Sequence, residues 1–126
     1  MKTGPLTPDP EQGCPVTHCL SLIGGKWKPR ILWRLRDGPA TFGDLRRYVG
    51  VSEKVLSENL AALQREGIVS RRPLKEGDMV YVEYDYTCYG RSLLPVLDAM
   101  GGWGLGHAGR KSEPSDPDLD DVRQVS

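Results

Sequence analysis

Basic side chains are the residues of this sequence best suited to bind another molecule, and they are concentrated in its middle. Residues 26–75 hold twelve Lys or Arg against five Asp or Glu, although the 126-residue chain is neutral as a whole. Residues 76–126 hold four basic residues against ten acidic ones. Because a local surplus of positive charge attracts phosphates, this distribution indicates nucleic acid as a partner.

A polar surface on one predicted helix offers a second kind of chemistry. At about 100° per residue from Ser52 onward, Leu56, Leu60 and Leu63 share one face that suits a core. The opposite face carries small or charged side chains, namely Glu53, Lys54, Ser57 and Glu58. Such groups near a helix N-terminus suit the major groove of DNA, where base edges and phosphates are within reach. Taken alone, the same pattern also describes an ordinary solvated helix, so the neighbouring elements decide between the two interpretations.

The basic residues near this helix fall into clusters on the elements that would surround it. One cluster begins at Lys26, a second is Arg46 with Arg47, and a third spans residues 71–75. Their convergence on a short helix and a hairpin favours contact with DNA phosphates over plain solvation. The predicted DNA-binding residues are Lys26, Lys28, Arg46, Arg47, Ser52, Lys54, Ser57, Glu58, Arg71, Arg72 and Lys75.

Cys14 is the most distinctive side chain outside the basic region. It precedes Pro15, which suits the first position of a helix, and free N–H groups at a helix start stabilise a thiolate. Two interpretations stay open: a reactive redox sensor, or a small buried hydrophobic side chain. Cys19 lies about 140° away around the same helix, which disfavours an intrahelical disulfide. Cys88 is predicted to be a packing residue.

Several classes of protein are excluded at this stage. No apolar run approaches the ~20 residues of a membrane span, and residues 1–13 lack the apolar stretch of a signal peptide, so we expect a cytoplasmic protein without a membrane partner. Cys14, His18 and Cys19 lack the second pair of ligands that a structural zinc site needs. Neither His18 nor His107 has a partner whose spacing suits catalysis. We therefore expect no enzyme, no metal and no cofactor.

Periodicity and capping residues predict the fold around these groups. Four helices are expected to begin near Pro15, Pro29, Thr41 and Ser52. The tight turn at residues 50–52 gives the last two the spacing of a helix-turn-helix. After Gly67, the alternation over 79–86 and a polar tip at 75–78 predict a two-stranded wing.

A last helix is predicted to start at the cap Thr87, and glycines after Gly101 are expected to weaken its end. The predicted class is therefore α+β and mostly α: a winged helix-turn-helix with a two-stranded wing and N- and C-terminal dimerisation helices. We expect a flexible arm at 1–13, the winged domain at 14–108 and a disordered acidic tail at 109–126.

With these elements in place, the sequence resembles the HxlR-type winged helix-turn-helix transcriptional regulators, relatives of the MarR group. The resemblance covers roughly residues 14–107. Its main blocks are CPV (14–16), LIGGKWK (22–28), TFGDLRR (41–47), VSEKVL (51–56), YDYT (84–87) and GRSL (90–93). Tyr86 departs from the pattern, because the family usually has leucine there.

The resemblance implies a homodimer, paired mainly through the first and last helices, on a pseudo-palindromic operator in double-stranded DNA. It also implies that Ser52, Lys54 and Ser57 enter the major groove. In several members of the family, a cysteine matching Cys14 senses electrophiles, quinones or oxidants. The predicted dimerisation residues are Val16, Leu20, Leu93, Leu97, Met100 and Trp103.

Two functions remain in play. The first is a dimeric, sequence-specific DNA-binding regulator, interpreted as a repressor, with a redox or electrophile response through Cys14 as an open option. The alternative is a winged-helix protein-interaction module that does not bind DNA. The positive surplus over 26–75 favours the first. Whether a small molecule or an oxidant is the inducer stays open.

Overall fold

The structure is a computed structural model that describes residues 13–111. The chain consists of two compact units, which meet between Leu93 and Leu94 in the sequence. The first unit contains α1 (Pro15–Ile23), α2 (Lys28–Leu35), β1 (Ala40–Thr41), α3 (Phe42–Val49), α4 (Glu53–Arg65), β2 (Val69–Glu76), β3 (Met79–Tyr86) and a 3-10 helix (Gly90–Leu93). The second contains α5 (Leu94–Lys111). This arrangement confirms the predicted winged helix-turn-helix.

The core of the first unit is built from the helices that sequence periodicity predicts. Tyr84 and Tyr86 of β3 are also buried, and the Tyr86 hydroxyl donates a hydrogen bond to the Leu32 carbonyl. The predicted alternation along β3 therefore holds near the helices, whereas Val80, beside the hairpin turn, is exposed. The largest fully buried side chains are Ile31, Leu32, Leu35, Leu45, Val49, Leu56, Leu60 and Leu63.

The capping residues define α3 and α4 as predicted. The Thr41 hydroxyl accepts from the Asp44 N–H at 3.1 Å, and the Asp44 carboxylate accepts from the Thr41 N–H at 3.2 Å. Ser52 caps α4 by accepting from the Val55 N–H at 3.3 Å. These bonds satisfy N–H groups that a helix start otherwise leaves unpaired, so both helices start where the sequence places them.

The sheet contains the predicted two-stranded wing, β2 and β3, but it has a third strand and a shorter turn than predicted. It has three antiparallel strands in the order β1-β3-β2, because Ala40 and Thr41 pair with Tyr84 and Glu83. The hairpin turn is only Gly77–Asp78, so the predicted four-residue tip at 75–78 is wrong. Gly77 has φ +62°, the positive value that the first residue of a type II′ turn requires.

The predicted start of the last helix at Thr87 is also wrong. The Thr87 hydroxyl accepts from the Gly90 N–H at 2.8 Å and so caps the 3-10 helix, while α5 begins at Leu94. The 3-10 helix packs closely on the chain, since a Cβ at Gly90 would collide with the Ile68 carbonyl oxygen. Leu93 consequently belongs to the 3-10 helix and not to α5.

Helix α5 is continuous through the glycine-rich segment 101–106 and extends to Lys111, the last described residue, three residues beyond the predicted domain boundary. The predicted arm and tail otherwise lie outside the described residues, apart from Gly13. Among the described residues, no helix combines the length and apolar character needed to cross a membrane.

Candidate nucleic-acid interface

The outer face of α4 carries the polar residues that the sequence assigns to base contacts. Lys54, Ser57 and Glu58 are exposed, because Leu56 and Leu60 turn the opposite face of the helix into the core. These side chains offer a donor cation, a hydroxyl and an acceptor carboxylate, which are the groups that recognise base edges.

A groove of about 550 Å³ opens between α3 and the start of α4. Ser52 lies in this groove, and its hydroxyl oxygen accepts the Val55 N–H, which leaves its O–H and one lone pair for contacts with DNA. The groove is lined by Phe42, Gly43, Arg46, Arg47, Gly50, Val51, Ser52 and Glu53. It therefore joins Arg46 and Arg47, two of the predicted phosphate contacts, to the start of α4, where base contacts are predicted.

The two arginines of α3 are both paired with carboxylates. Arg46 Nη1 lies 3.4 Å from Glu53 Oε1, across the turn between the helices. Arg47 Nη2 lies 2.8 Å from Asp44 Oδ1. The pKa of Asp44 is held below its usual range, first by the Thr41 N–H, then by the Thr41 hydroxyl, and then by Arg47. Neither ion pair is apparent from the sequence pattern.

The wing separates its basic residues onto two faces. Arg71 lies opposite Tyr84 and Arg72 opposite Glu83, so the adjacent arginines point to different sides of the sheet. Arg72 Nη2 is 2.6 Å from Glu83 Oε1. Arg71 and Lys75 share the other face and form no ion pair with any residue between 13 and 111.

The tip of the wing is acidic and apolar. Glu76 accepts a hydrogen bond from the Tyr81 hydroxyl at 3.0 Å, which raises the pKa of Tyr81 above its ordinary value. Asp78, Met79 and Val80 beside it are exposed. These residues have little attraction for a phosphate. Of the wing cations, Arg71 and Arg72 lie nearer its base, whereas Lys75 lies opposite Val80, beside the tip.

Helix α2 uses part of its positive charge within the fold. Arg30 Nη1 donates a hydrogen bond to the Val49 carbonyl, at the end of α3, at 3.4 Å. Arg34 Nη1 donates to the Gly38 carbonyl, in the turn after α2, at 3.3 Å. Lys26 Nζ lies 4.9 Å from the centre of the Trp27 ring, in a cation–π contact. Lys28, the first residue of α2, is half-buried.

Cys14 is the N-cap residue of α1, and its side chain is exposed. The interpretation of Cys14 as a buried hydrophobic residue is therefore wrong. The Cys14 sulfur makes no capping hydrogen bond to the first turn of α1. Nearby hydrogen-bond donors nevertheless favour its thiolate form. The Thr17 N–H, the Thr17 hydroxyl and the Val16 N–H lower the pKa of the thiol from its ordinary value, in that order of effect.

The other two cysteines differ in their surroundings. Cys88 is exposed, so its prediction as a packing residue is wrong. Cys19 is half-buried and lines a pocket of about 220 Å³ with Ile23, Ile68 and Tyr89. No cluster of three His, Cys, Asp or Glu residues suited to a metal occurs within 13–111.

The predicted dimerisation residues fall into exposed and covered groups. Val16 is 65% exposed on α1, where Leu20 is also exposed. On α5, Met100 is exposed and Trp103 is 73% exposed. Leu97 is only 5% exposed in the single chain, and Leu93 is half-buried in the 3-10 helix, so the exposed candidates are the other four residues.

Comparison with known proteins agrees with this architecture. The HxlR-like helix-turn-helix family matches residues 22–112. The uncharacterized HTH-type transcriptional regulator YdeP of Bacillus subtilis is 39% identical over 97 residues, which are 76% of this chain and 75% of YdeP.

Solved structures are similar over most of the chain. The redox regulator HypR in its reduced form has a TM-score of 0.69 at 34% identity, covering 75% of this chain and 93% of HypR. The reduced form of the regulator YodB from B. subtilis has a TM-score of 0.64 at 34% identity, covering 82% of this chain and 98% of YodB. The chain belongs to the HxlR-like helix-turn-helix family of transcriptional regulators.

Proposed function

We propose that this protein is a transcriptional repressor that binds a pseudo-palindromic DNA operator as a homodimer. The observation that carries the proposal is the exposed polar face of α4, which follows a capped helix and a tight turn and is flanked by cations. Two such helices, one per subunit, would read half-sites about one helical turn apart. A regulator of chromosomal DNA works in the cytoplasm.

In this proposal the two classes of contact have different tasks. Lys54 and Ser57 read base edges, and Glu58 accepts a hydrogen bond from a cytosine amine. Arg71 and Lys75 of the wing contact phosphates, which fixes the register of the protein on DNA without selecting sequence. The arginines of α3 have the same role at the edge of the groove.

Salt-dependent DNA binding tests this division. A duplex selected by the wild-type protein from a randomised library serves as the operator probe, beside a random-sequence duplex of the same length. Arg71→Ala removes a cation that has no carboxylate partner among residues 13–111, so affinity for both duplexes should fall. The slope of log affinity against log salt concentration should decrease by about one per site. Lys54→Ala and Ser57→Ala should instead change the preferred bases, by ~1–3 kcal/mol for a bidentate contact and less for a single bond.

The outcome also decides between the two candidate functions. Equal salt slopes and equal base preferences in all three variants would contradict the assigned roles. Failure of the wild-type protein to bind any duplex at about 50 mM salt, where non-specific binding is strong, would favour a winged-helix protein-interaction module.

We also propose a response to oxidants or electrophiles through Cys14. The exposed thiol at the start of α1, with its lowered pKa, supports this role. HypR, at 34% identity, is a redox regulator, and YodB is known in a diamide-treated form at 32% identity. Diamide should release the wild-type protein from its selected duplex and leave Cys14→Ser bound. Cys88→Ser, which removes the other exposed thiol, should respond as the wild type does.

A further inference from the structure

Three of the arginines predicted to contact DNA are accompanied by carboxylates, which lie on three different elements. This arrangement is unexpected for a surface proposed to bind a polyanion, because each carboxylate offsets one cation. The pairs are Arg46 with Glu53 (3.4 Å), Arg47 with Asp44 (2.8 Å) and Arg72 with Glu83 (2.6 Å).

The pair in the wing differs from the other two in how firmly its carboxylate is placed. Glu83 lies on the central strand, opposite Arg72 of β2 and opposite Thr41 of β1. The Glu83 side chain is 21% exposed, whereas that of Arg72 is 68% exposed. The sheet therefore holds the carboxylate, and the guanidinium extends from it toward solvent. One contact to Glu83 leaves other N–H donors of Arg72 available for a phosphate.

The Glu83 carboxylate lies on a strand and caps no helix, so helix capping does not explain an acidic residue at this position. Asp44 is needed for the capping box of α3, and Glu53 is an exposed residue in the first turn of α4, where negative charge is favourable. Within the described part of the chain, the only hydrogen-bond and ion-pair partner of the Glu83 side chain is Arg72.

We propose that Glu83 is a positioning residue that determines DNA specificity by holding Arg72 in one orientation at the base of the wing while offsetting its charge. An untethered arginine attracts any phosphate within its reach. A tethered and neutralised arginine binds well only when a phosphate arrives in the right place, as it does on correctly docked operator DNA. The inference rests on the proposed DNA-binding function and adds the residue that controls its selectivity.

The test compares Glu83→Gln with the wild type on the selected duplex and on the random-sequence duplex. Affinity for random DNA should rise about three- to tenfold at low salt, because one negative charge near phosphates is lost. Affinity for the selected duplex should rise less, so the ratio of the two affinities should fall. Glu66→Gln is the matched control, since it makes the same charge change at the exposed C-terminal end of α4 and should leave the ratio unchanged.

Two further variants separate orientation from charge. Glu83→Asp keeps the charge but shortens the side chain by one methylene, so it should also lower the ratio. In an Arg72→Ala background, Glu83→Gln should change the affinities for the two duplexes by the same factor. The ratio should therefore equal that of Arg72→Ala alone. Thermal unfolding of each variant shows whether it is folded.

Specific results would overturn the inference. The first is a ratio of selected to random affinity in Glu83→Gln or Glu83→Asp that equals the wild-type ratio. The second is a change of that ratio by Glu83→Gln that is as large in the Arg72→Ala background as in the wild type. If the wild-type protein binds neither duplex, the proposed function itself fails, which is a different result from a bound protein whose ratio does not change.

Discussion

The thiol of Cys14 shows how one residue acquires its chemistry from its position in a helix. The side chain is exposed, so burial contributes little, and the N–H groups of the first turn of α1 stabilise the negative form. Cys88 is also exposed, and so it serves as an internal standard for exposure alone.

We expect Cys14 to react with iodoacetamide faster than Cys19 and Cys88, and to stay reactive at lower pH. The lowered pKa means that its thiolate persists below the pH at which an ordinary thiol, with a pKa near 8.5, becomes protonated. Peptide mapping by mass spectrometry between about pH 5 and 9 measures all three rates in one sample. A Cys14 that reacts more slowly than Cys88 would contradict the argument.

Tyr86 replaces the leucine that the family resemblance leads one to expect, and its hydroxyl has a partner in the core. It donates to the Leu32 carbonyl at 2.5 Å. We expect Tyr86→Phe to lower the free energy of unfolding by about 1 kcal/mol, as measured by urea unfolding. The cost is limited because the Leu32 carbonyl keeps its bond from the Arg36 N–H. An unchanged stability would show that the hydroxyl contributes nothing.

Local caps mark where α3 and α4 begin. The capping box of α3 places Arg46 and Arg47 on the last turn of that helix, and Ser52 begins α4 three residues after α3 ends at Val49. The start of α4 therefore depends on a few hydrogen bonds around one turn.

We expect Thr41→Ala to destabilise the fold by about 1 kcal/mol, because it removes the N-cap acceptor.

Asp44→Asn tests the second half of the capping box through the pH dependence of the unfolding free energy. The pKa of Asp44 is depressed in the folded protein, so its contribution is complete above about pH 4 and is lost as the pH falls through the folded value. Wild type and Asp44→Asn should therefore differ in unfolding free energy at pH 7, and the difference should shrink as the pH falls below about 4. A difference that stays constant with pH would exclude this origin.

Exposed apolar residues on α1 and on α5 are relevant to the oligomeric state of the protein. Val16 and Leu20 on one helix, and Met100 and Trp103 on the other, are uncovered in the single chain, and they are the exposed members of the predicted dimerisation set. Large exposed apolar side chains of this kind are typical of association surfaces.

We expect Met100→Glu and Val16→Glu each to convert the protein to a monomer and to abolish operator binding, with little change in thermal stability. A charge at an apolar interface is costly, whereas both positions are exposed in the single chain. Sedimentation velocity at micromolar concentration distinguishes a 14.0 kDa monomer from a species of twice that mass. Val80→Glu is the matched control: Val80 is 67% exposed at the wing tip, and its variant should remain dimeric. A monomeric wild type would contradict the prediction.

Helix starts and core faces were within reach of the sequence alone because their signals are local. Thr41 with Asp44, and Ser52 before Val55, are separated by only three residues, and the buried face of α4 repeats with the helical period. The family pattern and the basic middle of the chain then pointed to DNA. These features need no knowledge of which distant segments meet.

The remaining features were decided by contacts between segments far apart in the chain. Strand β1 is two residues long and exists only through its pairing with β3, so no alternation pattern marks it. A four-residue tip at 75–78 would have placed Arg72 opposite Tyr81, whereas the two-residue turn places it opposite Glu83. The carboxylate that pairs with Arg72 thus depends on the register of a hairpin. Register follows from turn geometry and from packing against the core, so only the tertiary structure showed which side chains meet there.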